Sequence, residues 1–235
     1  METMSVNVAA IQPQYLNEET ADISQGYYVA NKQAQPNDFG QHVYSRLAER
    51  IQAGFAKHYD AKVHEFMPLL ACLAYSQQRY CCFGLRSASN TLFLSQYLSQ
   101  PLSEYLQQWH CAANQCVELG NLVSTHSQAT LAHFVVLAKA LQQAGKKKLV
   151  FCATAHIRNL LMRVGAHFEE LEEALPERLS DYGKNWGSYY ANGPKVCVVD
   201  VQQVSSHVDA IDTLSFFAKS YAVDINNLAA EVAQL

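Results

Sequence analysis

A run of alternating strand and helix patterns in the second half of the chain constrains the fold more than any other feature. CVELGNLVS at 116–124 is typical of a strand, and the apolar residues after it recur with helical spacing until Gly145. KLVFCAT at 148–154 is short and almost entirely apolar, as expected for a strand covered on both faces. A second helical stripe ends at Gly165, and residues 166–172 predict a further strand. These units predict a mixed sheet with right-handed crossovers.

The first half of the chain predicts a helix followed by antiparallel strands. Between residues 41 and 58 an apolar residue recurs every four positions, which predicts a helix. Residues 61–90 are rich in aromatic, β-branched and small apolar side chains and predict two or three strands, with Pro68 at a break. Two short helical pieces follow, the second opened by Pro101.

The remaining segments complete an α+β/α fold with a central domain at 40–203. Residues 1–39 show no helix or strand period and predict an N-terminal arm, partly disordered or laid over the core. Residues 195–202 predict the last strand, after a loop rich in glycine, asparagine and tyrosine. Residues 204–235 predict a C-terminal helical extension with amphipathic helices at 211–218 and 225–232.

Charge and cysteine usage exclude several classes of function. The 235 residues carry 17 Lys and Arg against 21 Asp and Glu, a net charge of −4, without a basic block. This disfavours binding to nucleic acid or to an anionic membrane. The sequence has no apolar run of transmembrane length, and its N-terminus lacks the pattern of a secretory signal. Seven scattered cysteines suggest no disulfide framework, so we expect a cytoplasmic protein with several buried, reduced thiols.

Common catalytic motifs are absent from the sequence. It contains no GxGxxG, Walker loop, HExxH, paired CxxC or GxSxG. His110, Cys111 and Cys116 lack a fourth ligand at suitable spacing, so we expect no metal site. A Cys–His nucleophile pair stays open, because nine histidines and seven cysteines offer many chance pairs and no spacing singles one out.

Several strings resemble known acyltransferases. VELGNLV, KLVFCAT and AHIRNLLMRVGAHFEEL together resemble the central unit of the GNAT acyltransferase superfamily, including the helix that ends in Gly165 before a strand. The order GLRSASN, TLFLSQYLSQP, VELGNLV is similar to the acyl-homoserine-lactone synthases. Six strings across residues 40–202 resemble the bacterial thermostable haemolysin family: FMPLLACL, FGLRSAS, LFLSQYL, ELGNL, ATAHIRNLLMRVG and WGSYY.

The GNAT resemblance implies a mixed twisted sheet flanked by helices and a specific chemistry. Two neighbouring parallel strands splay apart, and the thioester arm of the donor lies between them; here these strands are 116–123 and 148–154. The implied reaction moves an acyl group from a thioester co-substrate, carried on acyl carrier protein or coenzyme A, to a small-molecule amine. No tightly bound cofactor is expected.

The same resemblance assigns roles on the first strand. Glu118 would deprotonate the amine, while the backbone around Leu119 would face the thioester. Glu118 has a structural alternative, an ion pair with Arg86 or Arg158, because a charge in an apolar strand needs a partner or a function. Arg86 is otherwise a surface or substrate-binding residue, and Asn121 marks a bulge or bonds the amides of the donor.

Further residues have two interpretations each. Arg158 and Asn159 open a helix and would bind an anionic group or simply be solvated there. Trp186, Tyr189 and Tyr190 would line the acyl or acceptor pocket or anchor a long loop.

Two departures from the GNAT pattern change the expected acyl donor and the residue expected to act as the general acid. The segment STHSQAT replaces the glycine-rich pyrophosphate loop, so a carrier-protein or pantetheine donor is expected over coenzyme A. The usual tyrosine acid falls near Leu161, so Tyr189 or Tyr190 would protonate the leaving thiolate, or no side chain does. The acidic and aromatic N-terminal pattern of the lactone synthases is not evident, which argues against S-adenosylmethionine as acceptor.

Two alternatives from other classes accompany the acyltransferase hypothesis. The haemolysin family name implies a membrane-active protein, which would need a basic amphipathic helix or an insertable apolar hairpin. Neither is evident, and the C-terminal helices carry few cations. The third possibility is a GNAT-shaped binding module without catalysis.

Overall fold

The computed structural model describes residues 23, 25–33 and 39–235. Its strands form one mixed sheet of seven, in the order β1-β2-β3-β4-β5-β7-β6. All neighbouring pairs are antiparallel except β4 and β5, which are parallel. The strands are β1 Gly26–Asn31, β2 Leu69–Ala74, β3 Tyr80–Ser87, β4 Cys116–Ser124, β5 Lys148–Ala153, β6 Glu169–Glu173 and β7 Lys195–Asp200.

Helices cover both faces of this sheet. One face packs against α3 and the three C-terminal helices, and the other against α1 on one side and α2 on the other. The helices are α1 Phe39–Tyr59, α2 Leu102–Gln108, α3 Ser127–Gln143, α4 Ala155–Arg163, α5 Val201–Ala210, α6 Asp212–Ser220 and α7 Ala222–Ala233.

The parallel pair is short. β4 and β5 are paired over only four residues each, from Cys116 opposite Lys148 to Leu119 opposite Phe151. Beyond Leu119, β4 continues to Ser124 while paired with β3 alone. The sheet therefore opens at its centre, on the side where β4 and β5 end.

The predicted strand–helix–strand core is confirmed. The helix after β4 ends before Gly145 at φ +70°, and α4 ends before Gly165 at φ +73°. Glycine suits both positions because it has no Cβ atom, so the left-handed backbone conformation causes no steric clash. The predicted helix at 41–58 is α1, and Pro68 lies immediately before β2.

The structure differs in two details from what the sequence predicts at the ends of the domain. The expected arm contains strand β1, which pairs along its whole length with β2; residues 1–22, 24 and 34–38 of that arm lie outside the described residues. The last strand ends at Asp200, whose side chain accepts a hydrogen bond from the Gln203 N–H and caps α5. The C-terminal extension consequently holds three helices rather than two.

The cysteines are free thiols, six buried and Cys152 half-buried. No helix among the described residues has both the length and the apolar character needed to cross a membrane. Within those residues, His, Cys, Asp and Glu side chains form no group of three able to hold a metal ion.

Candidate functional site

A cavity of about 830 Å³ lies where β4 and β5 diverge. Its walls come from β4 and the end of β5, from α1, from the crossing segment (residues 62–67) and from the aromatic loop (residues 179–192). Between Gly120 and Ser124, β4 is paired with β3 on one side only. Its other edge therefore offers unpaired backbone groups to the cavity.

Asn121 holds a bulge in β4 at this point. The register with β3 jumps from Gly84–Gly120 to Cys82–Val123, and Asn121 adopts φ +51°. Its side-chain Oδ1 accepts a hydrogen bond from the Met67 N–H at 2.8 Å, and its Nδ2 donates to the Glu65 carbonyl at 3.2 Å. Asn121 thus marks the bulge, and both ends of its amide bind the crossing segment.

The crossing segment lies against the sheet because two strand positions are glycine. A Cβ on Gly84 would come within 2.5 Å of the Met67 Cβ, and one on Gly120 within 2.3 Å of the Met67 Cε. Met67 therefore occupies the space that side chains on β3 and β4 would otherwise fill, and the segment forms a fixed wall of the cavity.

Glu118 is the buried carboxylate of the cavity, only 2% exposed. One oxygen accepts the Phe93 N–H at 3.0 Å and the other the Leu94 N–H at 2.8 Å, at the start of the 3-10 helix Phe93–Gln96. Burial raises the pKa of Glu118 above its usual value, while these two N–H groups and the Arg86 charge oppose the rise. The acid is therefore more basic than an exposed glutamate.

Neither arginine forms the expected ion pair with Glu118. Arg86 is its register partner on β3 and lines the cavity, but its Nη1 donates to the Thr91 carbonyl at 3.2 Å. Arg158 pairs instead with Glu170 at 3.0 Å and bonds two backbone carbonyls. Neither Arg158 nor the exposed Asn159 lines the cavity.

The aromatic loop contributes Trp186 and Tyr189 to the cavity wall. Tyr190 lies behind Tyr97, a cavity residue; their hydroxyls are 2.6 Å apart, and burial raises the pKa of Tyr190 to about 12. Burial also raises the pKa of Tyr189. Both loop tyrosines are therefore uncharged at neutral pH.

Tyr97 and Cys152 are among the cavity residues that the sequence did not single out. Tyr97 lies within LFLSQYL, where only a helical pattern was visible. Cys152 follows Val150, the register partner of Glu118, by two positions and so lies on the same face of the sheet. Burial raises the pKa of the Cys152 thiol well above its usual value. Neither residue carries a sequence signal beyond its type.

The opposite end of the cavity is polar and lies at the start of α3. Ser124, Thr125, His126 and Ser127 line it. His126 precedes the first helical turn and gives it no side-chain cap. The first N–H groups of a helix have no intrahelical acceptor, so this end presents donors and the positive end of the helix dipole to the cavity.

Solved structures share this fold at low sequence identity. A crystal structure of TofI in an apo form aligns with a TM-score of 0.56 at 11% identity, covering 81% of this chain and 99% of that one. TofI in a ternary complex with an inhibitor and MTA gives 0.56 at 12% identity, covering 80% and 98%. The AHL synthase LasI gives 0.49 at 14% identity, covering 74% and 89%.

The chain thus shares the fold of TofI, a mixed twisted sheet flanked by helices, as predicted. The sequence itself matches the family model described as thermostable hemolysin over residues 38–205. The chain therefore belongs to that family. No curated protein matches it.

Proposed function

We propose that the protein is an acyltransferase that moves an acyl group from a thioester to a small-molecule amine. The observation that carries this proposal is the opening between β4 and β5. It places an unpaired strand edge, from Gly120 to Ser124, along a cavity that also contains the buried carboxylate Glu118. A donor arm with amide groups can bond that edge as an additional strand would.

The donor would enter from the α3 end of the cavity. At about 3.3 Å per residue, Ser124 lies roughly 20 Å along β4 from Glu118. A phosphate at the polar end near His126 would therefore leave room for an extended pantetheine arm, with its thioester beside Leu119 and Glu118. The segment STHSQAT at the start of α3 lacks the glycines of a pyrophosphate loop. This favours acyl carrier protein over coenzyme A as the donor.

The reaction requires one base and benefits from one acid. Glu118 takes a proton from the ammonium of the acceptor, the free amine attacks the thioester carbonyl, a C–N bond forms and the C–S bond breaks. The departing thiolate takes a proton, which Tyr190 supplies through Tyr97, and the second proton that the nitrogen loses as the amide forms returns to this tyrosine pair. No metal, redox group or resident cofactor takes part in this scheme. The proposed location is the cytoplasm, where thioester donors are made.

The test is thiol release from three donors that carry the same octanoyl group: octanoyl acyl carrier protein, octanoyl pantetheine and octanoyl coenzyme A. Thiol release that depends on added amine, together with an amide product of the expected mass, is the predicted result. The first two donors are expected to exceed coenzyme A in kcat/KM.

Absence of amide product with every donor and every amine tested would refute the proposal. Purified protein free of detergent is also added to dye-loaded liposomes. Dye release without transferase activity would instead favour the membrane-active alternative that the family description suggests.

A further inference from the structure

Arg86 presents an unused cation to the reacting end of the cavity. It is half-buried, it lines the cavity, and one of its guanidinium nitrogens donates to the Thr91 carbonyl. Its other nitrogens are not among the buried, unpartnered side-chain atoms of the described residues. No carboxylate in the described part of the chain lies within ion-pair distance of it.

The failure of Arg86 and Glu118 to pair is informative. They are direct cross-strand partners, whose Cβ atoms are typically about 5 Å apart on one face of a sheet. Glu118 turns toward the Phe93 and Leu94 N–H groups, and Arg86 toward the Thr91 carbonyl. The two opposite charges therefore stand side by side at the cavity wall without contact between them.

The position of Arg86 excludes a role at the anionic end of a donor. It lies opposite Glu118, before the strands diverge, whereas the polar start of α3 is roughly 20 Å further along β4. The hydrocarbon of an acyl chain offers no group for a guanidinium to bind, and the proposed placement of the donor puts the thioester against the backbone around Leu119. The remaining co-substrate at this end of the cavity is the amine acceptor.

We propose that the acceptor is an amine that carries a carboxylate, of the α-amino acid class, with its carboxylate on Arg86 and its amino group beside Glu118. This inference rests on the proposed acyltransferase function. An α-amino acid carries its ammonium and its carboxylate on the same carbon atom, so one small molecule can place a carboxylate on Arg86 and an ammonium beside its cross-strand partner Glu118. Arginine suits this role because its planar fork binds a carboxylate with two parallel hydrogen bonds.

The product would be an N-acyl amino acid. Glu118 accepts the proton of the acceptor ammonium, the nitrogen forms a bond to the acyl carbon, and the donor thiol leaves with a proton. Acylation removes the positive charge that faces Glu118, while the carboxylate on Arg86 is unchanged. The product therefore binds more weakly than the substrate at the Glu118 side, which favours its release.

The first experiment measures binding without any donor, so it does not depend on catalysis. The full chain is screened by thermal shift and calorimetry against the twenty amino acids and S-adenosylmethionine. Each ligand that binds is then compared with its carboxamide and its decarboxylated amine. We expect the two analogues to bind about 10- to 100-fold more weakly, the range expected for the loss of a charge-assisted hydrogen bond. Equal binding of all three, or no binding by any carboxylate-bearing amine, would overturn the inference.

The second experiment compares Arg86→Lys with Arg86→Gln. Both should fold, since the side chain is half-buried and bonds one carbonyl. Lysine keeps the charge next to Glu118 but loses the fork. We expect both variants to raise the KM of the amino acid by at least about 10-fold, to leave the KM of the thioester donor unchanged, and to lose the preference for the acid over its carboxamide.

The outcomes separate the two proposals. Arg86-dependent binding of an amino acid without acyl transfer would refute the proposed function and leave the ligand assignment standing. Acyl transfer to amines with no preference for a carboxylate, in the wild type and in both variants, would refute the assignment of Arg86 alone.

Discussion

Replacing Glu118 by glutamine tests the proposed base directly. General-base catalysis contributes about 10²–10⁴-fold, so kcat with an amine acceptor should fall by that factor. In the wild type, kcat should rise with pH through a group whose pKa lies above the usual glutamate value, because burial raises the pKa of Glu118. In Glu118→Gln this rise should disappear.

The effect on stability is expected to be much smaller, because two contributions oppose each other. A glutamine oxygen can accept from Phe93 or from Leu94 but not from both as the carboxylate does, and an unsatisfied buried donor costs about 1–3 kcal/mol. Against this, the raised pKa means that ionisation of Glu118 destabilises the fold as pH rises from the usual glutamate pKa to the raised one, and glutamine removes that charge. We therefore expect the Tm to change by only a few degrees.

Glu170→Gln is the matched control. Glu170 is a carboxylate with two cationic partners, Arg158 and Lys195, and it does not line the cavity. Its variant should lose a little stability and keep its turnover. Turnover and melting are measured on the same preparations from pH 5 to pH 9. A stable Glu118→Gln protein with wild-type turnover across this range would remove Glu118 from the chemistry and leave it as the anchor of the 3-10 helix.

Three further changes have defined outcomes. Tyr190→Phe should lower kcat with an alkyl thioester by about 10²-fold or more, and far less with a thiophenol ester, whose leaving thiolate needs no acid; an equal loss with both donors would argue against the proton relay. Asp224→Asn should raise the Tm, with a gain that grows between about pH 4 and pH 6, because burial raises the pKa of Asp224 to about 6 and its ionisation then destabilises the fold; a constant difference across pH would contradict this. Gly187→Ala should destabilise the aromatic loop, since its Cβ would lie 1.9 Å from the Tyr59 carbonyl oxygen at φ +50°, whereas Gly193→Ala, at φ +55° with nothing within 4 Å, should cost only about 1–2 kcal/mol as judged by urea unfolding.

The central strands and helices were predictable because their patterns are strong and local. β5 is nearly all apolar since both its faces are covered, and α3 and α4 end next to glycines that adopt positive φ. Glu118 was also predictable from the sequence, because an acidic residue is unusual in an otherwise apolar strand. Its partners were not, because the Phe93 and Leu94 N–H groups are backbone atoms and leave no trace in the sequence.

The differences between prediction and structure at the two ends of the domain also have physical causes. In β1, Tyr27 packs toward the face covered by α3 and Tyr28 toward the face covered by α1, so no alternation of polar and apolar residues marks the strand. The apolar run of β7 continues past Asp200 into Val201, which hides the start of α5. Only the helix-capping position of Asp200 distinguishes the two elements, and an aspartate alone is a weak signal.

The C-terminal helices bridge the two halves of the sheet on the face opposite the cavity. The sheet consists of two halves that are joined by four register pairs between β4 and β5. On the face opposite the cavity, α7 packs on β1 and β2 in one half, α5 packs on β7 in the other, and both pack on α3. The width of the opening is therefore constrained from the opposite face of the sheet as well as by the residues that line the cavity, so a substitution on α7, far from the cavity, can still alter the distance between the two strands.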